Sequence, residues 1–101
     1  MSKRLKNFVL TLAVKGEYFE AIKAGTKTEE YRLYNIYWKK RIEGKVFSMV
    51  QITHGYPKLG DTARRLRFHW AGFTVKDITH KQFGDKARTV FAIQLTKPEL
   101  M

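Results

Sequence analysis

Short strand-like segments dominate this chain, and one clear helical segment lies near its start. The strand-like segments are residues 7–14, 28–34, 45–56, 64–78 and 88–96. They are rich in β-branched and aromatic residues or alternate between polar and apolar side chains, as strands do. Because strands and helices do not alternate regularly, a parallel sheet is disfavoured. We therefore predict a mainly β protein of the α+β class, folded as a small, mostly antiparallel β-barrel or strongly curved sheet.

One or two short helices accompany these strands. Segment 17–25 predicts a helix that ends at Gly25, because glycine commonly follows the last helical residue. The apolar face of this helix consists of Tyr18, Phe19 and Ile22. Segment 36–44 predicts one or two further helical turns. Within the longest strand-like segment, Gly72 predicts a bend or a bulge.

The composition fits one domain that spans residues 1–101. With 44% hydrophobic and 14% aromatic residues the chain can build a core, and its length is near the commonest domain size. The absence of cysteine excludes disulfides, thiolate metal sites and a cysteine nucleophile. The histidines, His54, His69 and His80, are too widely spaced for a local ligand pattern, so neither a metal site nor a cofactor is predicted.

No long apolar segment points to a membrane. The early apolar run, residues 8–14, falls far short of the roughly 18 residues of a membrane span, and charges flank it. We therefore expect a soluble, cytoplasmic protein without a membrane partner.

The balance of charge is strongly positive. Twenty lysines and arginines against nine aspartates and glutamates give a net charge of +11. A positive field of this size favours polyanions, above all RNA or another nucleic acid. An alternative from another class is a small basic adaptor or inhibitor that binds an acidic protein. Simple solubility is the least specific explanation of the charge.

Scarce acidic residues are concentrated in the segment AGTKTEEYR, residues 24–32. Strand alternation places Glu30 and Arg32 on one face, with Lys27 in the turn just before the strand. These three side chains are therefore predicted to converge at one end of a sheet. A carboxylate between two cations stays ionised and can accept from the amino group of a base, while the cations bind phosphate or carbonyl oxygens. An exposed ladder of salt bridges is the structural alternative.

The same segment resembles the signature of the ASCH domain family, Gly-x-Lys-x-x-Glu-x-Arg. The matching residues are Gly25, Lys27, Glu30 and Arg32. The preceding segment, LTLAVKGEYFEAIKAG, resembles the opening strand, lysine (Lys15) and helix of that family. The resemblance implies a PUA-like fold, which is a small β-barrel with one or two helices at its side. It also implies a cleft, lined by the motif residues, that binds RNA or a modified nucleoside.

The resemblance raises two enzymatic alternatives. Some ASCH proteins are amidohydrolases that remove the acetyl group from N4-acetylcytidine. Lys27 matches their lysine, whereas Glu30 stands in the place of their threonine nucleophile and Thr28 lies nearby. Other ASCH proteins are ribonucleases, and RNA cleavage needs a base, an acid and a cation. The candidates for these roles are Lys27, Arg32, His54 and Tyr56. Lys27 and Glu30 are thus the candidate catalytic residues, with the reaction left open.

Aromatic and basic residues are interleaved directly after this strand, in the segment YNIYWKKR, residues 34–41. Aromatic rings stack on unpaired bases while lysine and arginine hold phosphates. The leading prediction is therefore a nucleic-acid-binding module that recognises RNA or a nucleotide. The predicted ligand-binding residues are Lys15, Lys27, Thr28, Glu30, Arg32, Tyr34, Trp38, Lys39, Lys40, Arg41, His54 and Tyr56.

Overall fold

Six strands and two helices follow one another in residues 8–95, the part of the chain that the computed structural model describes. The strands are β1 (Val9–Val14), β2 (Glu29–Leu33), β3 (Met49–His54), β4 (Arg65–His69), β5 (Phe73–Ile78) and β6 (Arg88–Gln94). The helices are α1 (Gly16–Ala24) and α2 (Ile36–Ile42), and single 3-10 turns span Thr62–Arg64 and Lys81–Phe83. The prediction of a mainly β fold with one or two short helices is confirmed.

The strands form two three-stranded sheets, in the orders β1-β3-β4 and β2-β6-β5. All pairs are antiparallel except β1 and β3, which run parallel from Val9 beside Met49 to Val14 beside His54. A parallel pair needs a long crossover connection, and α1, β2 and α2 supply it. Three of the four strand pairs in the described residues are antiparallel, so the prediction of a mostly antiparallel arrangement is confirmed.

The two sheets do not close into a barrel within residues 8–95, which corrects the predicted β-barrel. A closed barrel requires a continuous ladder of backbone hydrogen bonds around its circumference. Where β2 approaches β1, the contact comes from a side chain. Arg32 Nη2 donates to the carbonyl oxygen of Ala13, 2.8 Å away. Alternation in the sequence indicates which residues share a face but not which strand edges pair, so two open sheets and a barrel give the same pattern.

The core is formed by apolar side chains from both sheets and both helices. Those with almost no exposure include Leu12, Phe19, Ile22, Ile42, Val50, Ile52, Phe68, Phe91 and Ile93. As the sequence predicts, Phe19 and Ile22 form the buried face of α1. Burial of these large side chains supplies the main favourable contribution to folding.

The junction between α1 and β2 determines where the charged motif begins. Gly25 has φ = 84°, a left-handed conformation, and ends α1 as predicted. The backbone N–H groups of Thr26 and Lys27 donate to the carbonyl oxygen of Ala21, at 3.0 and 3.1 Å. These bonds hold Lys27 against the last turn of the helix, directly before β2.

The other sequence-based boundaries are close to those observed. α2 begins after Asn35, whose side chain accepts from the backbone N–H of Trp38 at 3.0 Å and so caps the helix. Gly72, with φ = 83°, lies in the predicted bend and separates β4 from β5. Of the helices in the described part of the chain, none has both the length and the apolar character needed to cross a membrane.

Candidate functional site

The predicted cluster of charges lies at the start of β2, and it is buried. Glu30 has only 2% of its side chain exposed and lies between Lys27 and Arg32. Arg32 Nη2 is 3.0 Å from Glu30 Oε2. Lys27 Nζ is 3.4 Å from Glu30 Oε1, within ion-pair distance but without hydrogen-bond geometry. These three residues, here called the Glu30 cluster, therefore form a buried cation–carboxylate–cation arrangement and not an exposed salt-bridge ladder.

Backbone and ring contacts fix the two cations of the Glu30 cluster. Lys27 Nζ donates to the carbonyl oxygen of Glu29 at 2.6 Å and lies 4.3 Å from the centre of the Tyr31 ring. The Arg32 guanidinium lies 5.1 Å from the centre of the Trp38 ring. Both cations are thus positioned before any ligand arrives, which lowers the entropy lost on binding.

A small cleft of about 180 Å³ lies beside the cluster. Its lining residues are Ala13, Val14, Lys15, Tyr18, Glu30, Arg32 and Gln82. Within residues 8–95, three buried atoms of this lining have no hydrogen-bond partner, namely Glu30 Oε1, Arg32 Nε and Gln82 Oε1. Buried polar atoms are nearly always paired, and an unpaired one costs about 1–3 kcal/mol. The residues that line this Glu30 cleft therefore carry one donor and two acceptors that have no hydrogen-bond partner among the described residues.

A second cavity, of about 400 Å³, is lined by Lys27 but not by Glu30. Its walls include three aromatic rings, with the His80 ring centre 5.6 Å from that of Tyr18 and 5.5 Å from that of Tyr31. His80 Nδ1 accepts from the backbone N–H of Gln82 at 3.1 Å. His80 thereby helps to position a residue that lines the Glu30 cleft.

Burial shifts the pKa of three groups around this second cavity. It is the largest cause of the lowered pKa of Lys27, and it outweighs the opposing effect of the Glu30 carboxylate. Burial, together with the charge of Lys27, lowers the pKa of His80, so the imidazole is neutral at pH 7. Burial and the hydrogen bond that its hydroxyl donates to Glu29 raise the pKa of Tyr31 to about 12.

A third cavity, of about 310 Å³, shares Ala13 and Arg32 with the Glu30 cleft. The side chains at its rim are Tyr37, Trp38, Arg41 and Tyr56. Tyr37 is 54% exposed and Tyr56 is 94% exposed, while the Arg41 guanidinium lies 3.5 Å from the centre of the Tyr37 ring. Exposed rings beside a guanidinium are suited to stacking on bases. This cavity, here called the Trp38 groove, therefore continues the cleft along β1.

His54 and Tyr56 line a fourth cavity, of about 330 Å³, together with Lys15 and Gly16. The His54 ring is packed so closely here that a β-carbon on Gly16 would lie 2.8 Å from His54 Nε2. Lys27 lines the second cavity instead. The four candidates for RNA cleavage are therefore distributed over more than one cavity.

Four other predicted residues are not part of the lining of the Glu30 cleft. The Tyr34 ring packs on Phe91 with centres 5.0 Å apart, and Lys39 Nζ lies 4.2 Å from the centre of the Tyr34 ring. Lys40 is exposed on α2 and lines a separate cavity of apolar character. Thr28 is exposed and lines the second cavity.

Three residues of the site are absent from the predicted ligand-binding set: Tyr18, His80 and Gln82. The sequence assigns Tyr18 to the core face of α1, and its ring does pack against the core while also lining the cleft. Gln82 reaches the site through a long-range contact, because its Nε2 donates to the carbonyl oxygen of Tyr31 at 3.3 Å across 51 positions of sequence. No local pattern in the sequence signals such a contact.

Comparison with known proteins gives no match, whether with protein-family models, with curated proteins or with solved structures. In the part of the chain that the structure describes, no three His, Asp or Glu side chains lie close enough together to hold a metal ion. The fold and the site define a small, basic, mostly β protein with a buried cation–carboxylate–cation cluster beside a polar cleft.

Proposed function

We propose that this protein is a nucleic-acid-binding module that holds one unpaired base of RNA, or a single nucleotide, in the Glu30 cleft. The observation that carries the proposal is the buried Glu30 carboxylate, held between Lys27 and Arg32 beside a cleft with unpaired polar atoms. The volume of about 180 Å³ is below the roughly 300–1,000 Å³ of sites for drug-sized ligands, which suits a ligand of the size of one base. The edges of bases supply donors and acceptors to such a cleft.

The surroundings of the cleft support a ligand that carries phosphates and further bases. The Trp38 groove adjoins the cleft, and stacking of a base on an aromatic ring is worth roughly 1–3 kcal/mol. The net charge of +11 attracts the phosphate backbone. Lys40 and Arg41 are exposed on α2, so they are accessible for contacts with phosphates.

Membership of the ASCH family is part of the same proposal. It is supported by the order of β1, Lys15, α1 and the motif that begins at Gly25, which follows the order that the family shows. The cytoplasmic location stays a prediction.

Fluorescence anisotropy with short single-stranded RNA and DNA oligonucleotides tests the proposal. The Glu30→Gln variant removes the buried charge at nearly constant volume, and we expect it to weaken binding about tenfold or more, because a charge-assisted bond to the base is lost. Glu20→Gln is the matched control, since Glu20 is exposed on α1. The slope of affinity against salt concentration is expected to be the same for both variants.

Lys40→Ala separates phosphate contacts from base recognition. It is expected to reduce the salt slope by about 1 and to weaken binding equally for all sequences. If no RNA, DNA or nucleotide binds to the wild-type protein at micromolar concentration, the module proposal is wrong. If binding occurs but Glu30→Gln behaves like Glu20→Gln, the Glu30 cleft is not the binding site.

A hydrolase that acts on RNA or a modified nucleoside is the second candidate, because Lys27 combines a lowered pKa with an ion pair to Glu30. A lowered pKa raises the neutral fraction of the amine, which is the form that acts as a general base. Thr28, the nearest threonine to the position of the amidohydrolase nucleophile, lines the same cavity as Lys27. This arrangement favours the amidohydrolase over the ribonuclease.

Incubation with N4-acetylcytidine and with a mixed RNA pool tests the second candidate. Product that forms with the wild type and with Lys23→Met, an exposed control on α1, but not with Lys27→Met would support it. Lack of product from both substrates would contradict the hydrolase candidate. An acidic protein that stays bound after nuclease treatment would instead support an adaptor.

A further inference from the structure

We infer that the Glu30 cleft selects guanine over the other bases. This inference rests on the proposed function, namely that the cleft holds one base. It follows from three buried polar atoms of the cleft-lining residues that have no hydrogen-bond partner among the described residues. The contacts that the neighbouring atoms make show whether each of the three is a donor or an acceptor.

The first two atoms belong to the Glu30 cluster. Arg32 Nη2 is occupied, since it contacts Glu30 Oε2 at 3.0 Å and donates to the Ala13 carbonyl oxygen at 2.8 Å. Glu30 Oε1 and Arg32 Nε have no hydrogen-bond partner in residues 8–95, although Lys27 Nζ lies 3.4 Å from Glu30 Oε1 as an ion pair. The cleft therefore offers one carboxylate acceptor and one guanidinium donor from neighbouring positions on the same face of β2.

The third atom is an acceptor as well. Gln82 Nε2 donates to the carbonyl oxygen of Tyr31 at 3.3 Å. The reverse orientation of the amide would bring two oxygen acceptors together, so this bond fixes which end of the amide is the oxygen. Gln82 Oε1 is left buried and without a hydrogen-bond partner among the described residues.

Two acceptors and one donor are complementary to an edge with two donors and one acceptor. Guanine has such an edge, with the N1–H and the 2-amino group as donors and O6 as the acceptor. Cytosine, uracil and adenine each have one donor group on the corresponding edge, so each would leave an acceptor of the protein unpaired. A site that hydrogen-bonds a ligand group discriminates strongly against a ligand without it.

The negative charge of Glu30 adds to this selection. Glu30 Oε1 can accept from the N1–H, and this charge-assisted bond is stronger than a neutral one, while Gln82 Oε1 can accept from the 2-amino group. The acceptors N3 and O2 of cytosine would instead face the carboxylate oxygen. The three protein atoms each have less than 1 Å² of accessible area, although their residues line the cleft. Contact with the base therefore requires a small movement of the Glu30, Arg32 and Gln82 side chains toward the cleft.

Binding of a short single-stranded oligouridine with one varied central nucleotide tests the inference. Fluorescence anisotropy at constant salt is expected to show guanosine binding about tenfold or more tightly than adenosine, cytidine or uridine at that position. Inosine lacks the 2-amino group and is expected to bind about tenfold more weakly than guanosine. The 7-deazaguanosine oligonucleotide keeps the recognised edge and is expected to bind like guanosine.

Gln82→Met removes one acceptor and is expected to make the affinities for guanosine and inosine equal, while Glu20→Gln retains the difference. Circular dichroism checks that the variant is folded; if it is not, the wild-type series alone decides. Equal affinities of the wild type for guanosine and inosine would overturn the inference. In that case, binding that still depends on Glu30 would leave the proposed function standing, whereas absence of binding to every oligonucleotide would refute both.

Discussion

Replacement of Arg32 by methionine is expected to destabilise the fold strongly, because it removes the closest cation from a buried carboxylate. The side chain of Glu30 is 2% exposed and that of Arg32 is 18% exposed. Loss of one partner from a buried ion pair costs about 3–5 kcal/mol, since the other charge is left without compensation. Lys27 remains 3.4 Å from Glu30 and offsets part of this loss, so we expect about 3 kcal/mol, the lower end of that range.

Urea unfolding followed by circular dichroism measures this change in the free energy of unfolding. In a thermal scan, a loss of about 3 kcal/mol lowers Tm by about 12–24 °C for a domain near this size. Lys81→Met is the matched control, because it breaks an ion pair with Glu17 that is shorter, 2.7 Å, but whose side chains are 69% and 55% exposed. Exposed pairs are screened by water, so no measurable change is expected there.

Equal stabilities of the two variants would refute the reasoning, because they would show that burial does not determine the strength of the Arg32–Glu30 contact. An Arg32→Lys variant refines the comparison. It keeps the charge, but one ammonium group does not reproduce the planar guanidinium that contacts both Glu30 and the Ala13 carbonyl oxygen. Its stability is therefore expected to lie between those of the wild type and Arg32→Met.

Other expected results concern single residues. Ultraviolet titration is expected to show an ionisation step near pH 12 that belongs to Tyr31, and Tyr31→Phe should remove that step. Because the pKa of His80 is lowered in the folded state, its contribution to stability is complete above its ordinary pKa of 6.5 and is lost as the pH falls through the folded-state pKa. As the pH falls through that range, the free energy of unfolding should therefore decrease less for His80→Gln than for the wild type. Gly25→Ala is expected to lower the free energy of unfolding in urea by about 1–2 kcal/mol, because alanine would have to adopt the left-handed φ of 84°. A steric clash does not add to this cost, since no atom lies within 4 Å of the added β-carbon. The control, Lys23→Ala, should change the stability little.

Features that depend on local periodicity could be predicted from the sequence. Gly25 ends α1 because few other residues adopt its left-handed conformation, and this is visible in the sequence alone. The alternation of a strand places Glu30 and Arg32 on one face, and the structure has them 3.0 Å apart on that face. Lys27 joins them because the turn after α1 is short. The central members of the candidate site follow from these local rules.

Features that depend on long-range pairing could not be predicted in this way. The parallel pairing of β1 with β3 depends on how a connection of more than thirty residues folds back, which no residue pattern in either strand encodes. The Arg32–Ala13 bond spans 19 positions and the Gln82–Tyr31 bond spans 51. Both contacts help to place side chains that line the cleft. The burial of Glu30 is likewise a property of the packed fold, because its segment has the composition of an exposed charged strand.

Replacement of the whole Glu30 cluster by methionine distinguishes a structural role from a ligand-binding role. A buried ionic triad exchanged for apolar residues of similar volume often leaves stability unchanged or raises it by about 1–4 kcal/mol, because no charge has to be desolvated. We therefore expect the variant with Lys27→Met, Glu30→Met and Arg32→Met to be at least as stable in urea as the wild type. Its free energy of unfolding should exceed that of Arg32→Met alone by about 3 kcal/mol or more. Binding of RNA should be lost in the same variant. A triple variant that is stable but does not bind RNA would show that the Glu30 cluster is needed for ligand binding and not for folding. A destabilised triple variant that still binds RNA would show that the cluster has a structural role and does not bind the ligand.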